Sequence, residues 1–105
     1  MAVAEVTTLT VKPDRLEAYV DRARKFKAAI EREGAKNVRL LSAVVAGEAT
    51  GSLAFIAEYD SFAAAGAGID ALMASAQGAE SYAVIQSSES PVENVQTAFW
   101  VDVPL

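Results

Sequence analysis

The sequence predicts an α+β protein whose four strands form one antiparallel sheet with two helices on a single face. Three observations support this prediction: a long helical periodicity follows a Val/Thr-rich segment, two apolar segments flank a glycine-bounded turn, and the final segment alternates cleanly. The resulting order is strand, helix, strand, strand, helix, strand. The 105 residues fit one domain, residues 1–105.

The first strand and helix have the clearest signals. Residues 3–11 are rich in valine and threonine and alternate loosely, which is typical of a strand. Asp14 and Glu17 form a D-x-x-E capping pair. The apolar residues that follow recur at helical spacing over about 20 positions, and Gly34 is suited to end the helix.

The middle of the chain predicts a hairpin. Residues 38–46 are apolar at nearly every position, so we expect both faces of this strand to be covered. GEATG, residues 47–51, supplies the turn, and residues 52–59 form the second strand of the hairpin.

A second helix follows the hairpin, with Asp60 or Ser61 as its cap. Its predicted apolar stripe is Phe62, Ala65, Ile69, Leu72, Met73 and Ala76. Gly66 and Gly68 each weaken a helix by up to about 1 kcal/mol relative to alanine. Close packing against the backbone is the favoured reason for these glycines.

The C-terminal part predicts a short element around residues 82–85, a serine-rich loop, and a last strand over residues 93–103. One face of that strand carries Val95, Thr97, Phe99, Val101 and Val103, and the other carries Gln96, Ala98, Trp100 and Asp102.

Two right-handed β-α-β units sharing a central hairpin give the ferredoxin-like arrangement. The helix-free face of such a sheet would be too apolar to remain exposed in a monomer. A second copy of the sheet is the simplest cover, so we predict a homodimeric barrel of two sheets packed back to back.

Composition excludes several classes of function. The chain has no cysteine and no histidine, which removes thiol nucleophiles, imidazole bases and the commonest metal ligands. All nine Lys and Arg lie in residues 12–39, and the net charge is -5, which argues against nucleic acid. No segment resembles a signal peptide or a membrane span, so a cytoplasmic protein is predicted.

Two segments of the sequence support a family resemblance. VTTLTVKPDRLEAYVDRARKF and NVRLLSAVVAGEATGSLAFIAEYDSFAAAGAGIDALM, together with the element order, resemble the dimeric α/β barrel superfamily. That superfamily includes antibiotic-biosynthesis-type monooxygenases, muconolactone isomerases and haem-degrading enzymes. The resemblance implies a pocket between helices and sheet for an aromatic or lactone substrate. The haem-degrading type is disfavoured because it needs a histidine.

Glu58 is the candidate catalytic base, since desolvation in an apolar pocket would raise its pKa. The hairpin register decides its surroundings. With Gly47 opposite Thr50, Glu58 faces Arg39 and forms an ion pair. With Gly47 opposite Gly51, Glu58 faces an apolar position and has no partner.

Five further residues are candidates for substrate binding, by aromatic stacking or by a hydroxyl group: Tyr19, Ser42, Tyr59, Tyr82 and Trp100. GAGIDA, residues 66–71, matches a dinucleotide fingerprint but lies inside a helix, so we reject that interpretation. Two hypotheses follow. One is a cofactor-independent monooxygenase or isomerase acting on a small aromatic or cyclic substrate. The other is a non-catalytic dimeric module that binds a small apolar molecule or only itself.

Overall fold

The computed structural model describes residues 2–44, 47, 51–86 and 90–105, without the side chains of residues 82 and 84–86. The elements are β1 (Val3–Val11), α1 (Leu16–Arg32), β2 (Lys36–Ser42), β3 (Leu53–Tyr59), α2 (Phe62–Ala74), α3 (Ala76–Gln86) and β4 (Val92–Trp100). The strands form one antiparallel sheet in the order β2-β3-β1-β4, which confirms the predicted ferredoxin-like arrangement. No helix in these ranges is long and apolar enough to span a membrane.

The central strand β1 defines the two faces of the sheet, because successive side chains point to opposite sides. Val3 packs in a core cluster with Ala29 and Ile30 of α1, so Val3 and its alternate neighbours point to the helix-covered face. On this face Glu5 lies between its strand partners Phe99 and Ala57. On the helix-free face, Ala4 lies between Trp100 and Glu58.

Two clusters form the core beneath the helices. The larger joins β1, β3, α1 and α2 and is made of Val3, Ala29, Ile30, Ala35, Val38, Ala57, Tyr59, Ala65 and Leu72. The smaller joins the other end of β1 to the start of α1 and is made of Leu9, Tyr19, Leu53 and Val92. The space between these clusters on the covered face is where a cavity opens.

The start of α1 differs from the prediction, whereas its end agrees. The N-cap residue is Arg15 and makes no side-chain capping bond to the helix. Asp14 precedes it with φ of 63°, so the predicted Asp14 and Glu17 capping pair is wrong. Gly34 follows the C-cap residue with φ of 100°, a conformation that glycine adopts without strain, as predicted.

Both predicted hairpin registers are wrong. Leu40 faces Phe55 and Ser42 faces Leu53, and the pairing shifts at a bulge between Lys36 and Arg39. Most of β2 is exposed, so the expected cover on both faces is absent within a single chain. Of the predicted turn GEATG, residues 48–50 lie outside the described residues.

The cap of α2 is confirmed as Ser61, whose Oγ accepts a bond from the backbone N–H of Ala64 at 3.0 Å. A side-chain carbon at Gly68 would lie 2.9 Å from the Glu33 carbonyl oxygen, which confirms close packing there. Among the described residues, nothing lies within 4 Å of the same position at Gly66, so they give no sign of close packing there.

The segment after α2 is more helical than predicted. Ser75 is extended and ends α2, so Ala76 begins a separate helix, α3, rather than extending the predicted stripe. Ser75 Oγ donates to the Leu72 carbonyl oxygen at 2.6 Å and accepts from the Gly78 N–H at 3.0 Å. These bonds fix the angle between α2 and α3, and α3 covers part of the cavity.

Candidate functional site

A cavity of about 390 Å³ lies between the helix-covered face of the sheet and the three helices. Strands β1, β3 and β4 provide its floor, α1 provides one wall, and α2 and α3 provide the rest. Its volume is within the range of small-molecule binding sites. The cavity opens to solvent beside β4, where the lining residues Val95 and Phe99 are each 44% exposed.

Aromatic rings form much of the cavity wall. Phe26 of α1 and Phe55 of β3 pack edge to face, with ring centroids 5.6 Å apart. At the open side, Phe99 of β4 packs against Phe62 of α2 at 6.0 Å. Met73 lies nearby in the lining. Such walls favour a planar apolar ligand over a sugar or a nucleotide.

Glu5 is the exception in this apolar surface. Its side chain lines the cavity, and Oε2 is shielded from solvent without a hydrogen-bond partner. Among the described residues it is the only buried side-chain oxygen or nitrogen left unpartnered. Burial raises the pKa of the Glu5 carboxyl group above its ordinary value of 4.5. The arrangement can accept a proton from a bound ligand or, when protonated, donate a hydrogen bond to it.

Four residues with hydroxyl groups line the cavity together with Glu5: Thr7, Tyr19, Ser81 and Thr97. Thr7, two residues along β1, and Thr97 on β4 share a hydrogen bond with their Oγ1 atoms 3.0 Å apart. Tyr19 of α1 lines the deeper part, and burial raises the pKa of its phenol to about 12. Tyr19 therefore stays protonated at neutral pH and can act as a hydrogen-bond donor, not as a base.

Glu58, the predicted base, lies on the opposite face of the sheet. Its Oε2 accepts bonds from Arg39 Nη1 at 2.8 Å and Asn37 Nδ2 at 2.7 Å. The hydrogen bonds from Arg39 and then Asn37 lower the pKa of the Glu58 carboxyl group. The predicted ion pair is thus confirmed, although Glu58 faces Lys36 and the bulge brings Arg39 within reach. Glu58 does not line the cavity.

The five predicted binding residues are not brought together. Tyr19 lines the cavity, whereas Ser42 is exposed at the end of β2. Tyr59 is 4% exposed in the core, and burial, then the charge of Glu5, raise its pKa. Trp100 is 62% exposed on the helix-free face. Tyr82 lies in α3, and its side chain is outside the described residues.

Sequence reasoning missed Glu5 although the signal was present. In VAEVTTLTV, Glu5 alternates in phase with Val3 and Leu9, which are both buried. A carboxylate on the apolar face of a strand is the same signal that singled out Glu58. Phe26, Phe55 and Phe99 could not be assigned to a common cavity without the sheet register.

No family model matches the chain, and no curated protein matches it. Among solved structures, Rv0793 from Mycobacterium tuberculosis is similar, with a TM-score of 0.71 and 17% identity over 100% of this chain and 98% of that one.

Two other solved structures connect the fold to named groups of proteins. A protein from Nitrosomonas europaea provisionally assigned as an antibiotic biosynthesis monooxygenase has a TM-score of 0.71, at 14% identity, over 97% of this chain and 90% of that one. An uncharacterised NIPSNAP domain protein from Burkholderia xenovorans has a TM-score of 0.70, at 16% identity, over 96% and 94% of the two chains. The chain shares their ferredoxin-like fold. At these identities the likeness concerns architecture, and any activity must be argued from the cavity.

Proposed function

We propose that the cavity binds a small aromatic or cyclic molecule and that Glu5 removes a weakly acidic proton from it without a cofactor. The observation that carries this proposal is the solvent-shielded, unpartnered Oε2 atom of Glu5 in an apolar cavity. A buried polar atom without a partner costs stability, so its retention suits a group that meets a ligand. This assigns to Glu5 the role that the sequence had suggested for Glu58.

The electrostatics of Glu5 support a base of useful strength. A raised pKa makes its carboxylate a better proton acceptor than an exposed glutamate. The flanking rings of Phe26, Phe55 and Phe99 would hold a planar molecule over the floor of the cavity. The protonated Tyr19 hydroxyl can donate to a carbonyl oxygen on which negative charge develops.

Two outcomes are open to the anion that forms when the proton moves to Glu5. Return of the proton to a different carbon of the ligand gives an isomer. Alternatively, the carbanion transfers electrons to dioxygen, forms a C–O bond and, after protonation, gives a hydroperoxide that loses water to yield a ketone. The oxygenation is consistent with the provisional assignment of the Nitrosomonas europaea protein, whose identity to this chain is 14%.

A second candidate function is binding without catalysis. Glu5 would then be protonated and donate a hydrogen bond to a ligand carbonyl group, and the Phe rings would provide the remaining contacts. The raised pKa of Glu5 favours this alternative, because it increases the protonated fraction of the carboxyl group at a given pH. The single hydrogen bond between Thr7 and Thr97 leaves one hydroxyl proton free to contact the same ligand.

The test begins with a thermal-shift screen of phenols, cyclic diketones and lactones. For each molecule that binds, solvent-deuterium incorporation and oxygen uptake are then measured in the wild type, Glu5→Gln and the control Glu58→Gln. We expect exchange to fall by about a hundredfold or more in Glu5→Gln, the usual contribution of a general base, and to persist in the control. Binding without exchange in any variant supports the second candidate. Equal exchange in Glu5→Gln contradicts the role of Glu5.

We also propose that the protein is a homodimer formed through the helix-free face. Trp100, Ala98, Val6, Ile56 and Leu41 contribute apolar surface to this face, beside the Arg39–Glu58 ion pair. Trp100 is 62% and Leu41 is 47% exposed in the single chain, which favours a partner surface over contact with water. The cavity lies on the other side of the sheet and would remain accessible in such a dimer.

A further inference from the structure

We infer that the molecule bound in the cavity carries one anionic group, a carboxylate or an equivalent oxyanion, and that Arg22 of α1 binds it. This inference rests on the proposed function, since it extends the description of the same ligand. Among the aromatic and cyclic molecules proposed above, it selects those that also carry a carboxylate or an equivalent oxyanion.

Arg22 lies between two neighbouring pockets. Arg22 lines the apolar cavity and also lines a neighbouring polar surface pocket of about 380 Å³ between α1 and α3. Ser81 of α3 is the other residue that the two pockets share. Arg22 is half-buried, so its aliphatic stem can cover apolar surface while its guanidinium group stays near the polar side.

Within the described ranges, Arg22 is unpaired, whereas the other arginines have partners. Arg24 contacts Asp21 at 3.2 Å, Arg32 donates to Gln77 at 3.2 Å, and Arg39 contacts Glu58 at 2.8 Å. In the part of the chain that the structure describes, Arg22 has no such partner. A half-buried guanidinium group at the edge of an apolar cavity is suited to a planar oxyanion.

The distance between Arg22 and Glu5 suits a ligand that contacts both residues. Tyr19 of α1 and Leu9 of β1 belong to one cluster, and α1 runs back along the sheet from there. Four strand residues from Leu9 to Glu5 span roughly 13 Å, and three helix residues from Tyr19 to Arg22 span roughly 4.5 Å. The backbone positions of Glu5 and Arg22 are thus offset by roughly 9 Å along the sheet axis, which allows one ligand to contact both side chains.

This spacing keeps the negative charge of the ligand away from the negative charge of the Glu5 carboxylate. The pKa of Glu5 is raised by burial, and no neighbouring cation lowers it, which agrees with Arg22 lying away from the carboxylate. A ligand anion at Arg22 would therefore lie apart from Glu5. The carbon acid to be deprotonated would be at the Glu5 end, among the Phe rings.

The test uses a matched pair of probes, 2-naphthoate and 2-naphthalenemethanol, which differ in charge and hardly in shape. Dissociation constants are measured by calorimetry for the wild type, Arg22→Gln and the control Arg24→Gln, which removes the same charge two residues away. We expect the wild type to prefer naphthoate by about tenfold or more, the ratio typical of a charge-assisted hydrogen bond. The preference should vanish in Arg22→Gln and persist in Arg24→Gln.

Three results would count against the inference, and they separate it from the proposed function. If both probes bind the wild type equally, or if Arg22→Gln keeps the preference, the anion site is wrong while the cavity remains a binding site. If the preference is lost equally in Arg24→Gln, general charge on α1 explains it and Arg22 has no special role. If neither probe binds any variant, the cavity is not a site for aromatic ligands, and the proposed function fails together with the inference.

Discussion

Two glutamates on adjacent strands of one sheet have opposite surroundings. Glu5 points to the helix-covered face, where one carboxylate oxygen has no partner and burial raises the pKa. Glu58 points to the helix-free face, where Arg39 and Asn37 donate to it and lower the pKa. Both interrupt apolar strands, yet one is paired and the other is not. The difference indicates that Glu58 links β3 to the edge strand β2, whereas the Glu5 carboxylate is available to react with a ligand.

The largest effect is expected from a mutation on the helix-free face, the face that carries Glu58. Trp100→Glu should weaken the proposed dimer by about 30-fold or more, because replacing an interface tryptophan that acts as a hot spot costs about 2 kcal/mol or more. Sedimentation equilibrium over a range of concentrations measures this change. Leu16→Glu is the control, since Leu16 is also apolar and 54% exposed but lies on α1. A wild-type protein that sediments as a monomer at micromolar concentration would contradict the dimer.

The buried glutamate gives the next largest expected effect. Glu5→Met keeps the length of the side chain and removes the unpartnered oxygen, so it should stabilise the protein by about 1 kcal/mol, since Glu5 is only partly buried. For a domain of this size that corresponds to a rise of about 4–8 °C in Tm.

The pH dependence of this gain has a definite sign. The folded-state pKa of Glu5 is raised, so its burial is least unfavourable below the ordinary value of 4.5 and becomes costly as the pH rises through the folded pKa. The advantage of Glu5→Met should therefore be largest near about pH 8 and shrink near about pH 4. Melting curves at the two pH values test this, and an advantage that grows toward acid pH would contradict the assignment.

The paired glutamate gives the smallest effect. At concentrations at which the protein is monomeric, Glu58→Gln should lower Tm by no more than a few degrees, because the ion pair is exposed in the single chain and such a pair contributes little. The folded-state pKa of Glu58 is lowered, so its contribution is present above the ordinary value of 4.5 and is lost as the pH falls through the folded pKa. The difference from wild type should disappear in strong acid and decrease with added salt.

Glu80→Gln is the matched control for this last experiment, because it removes one charge from the exposed surface of α3. A Tm decrease in Glu80→Gln as large as that in Glu58→Gln would show that net charge, not the contact with Arg39, is responsible.

The fold was predictable from the sequence because its signals are local. The helical periodicity of α1, Gly34 at its end and Ser61 at the start of α2 are each confirmed in the structure. The cap of α1 was not predictable in the same way. Asp14 has the right type and spacing for a cap, but its φ of 63° places it before the N-cap residue.

The candidate site was predictable only in part, because it depends on register. A bulge between Lys36 and Arg39 shifts the β2–β3 pairing, and the sequence of the turn does not reveal a bulge several residues away. The ion pair between Arg39 and Glu58 was predicted, although from a different register. Glu5 could have been recognised from alternation in β1, but its lack of a partner depends on the packing of three helices and cannot be read from the strand.

Gly78 limits how the volume of the cavity could be changed by mutation. Any side chain at that position would overlap the carbonyl group of Leu72, so the first turn of α3 is already as near to the end of α2 as a backbone can come. Mutagenesis aimed at larger or smaller substrates therefore cannot begin at Gly78. The volume can instead be changed at other lining residues, such as Ile69, Met73 and Phe99.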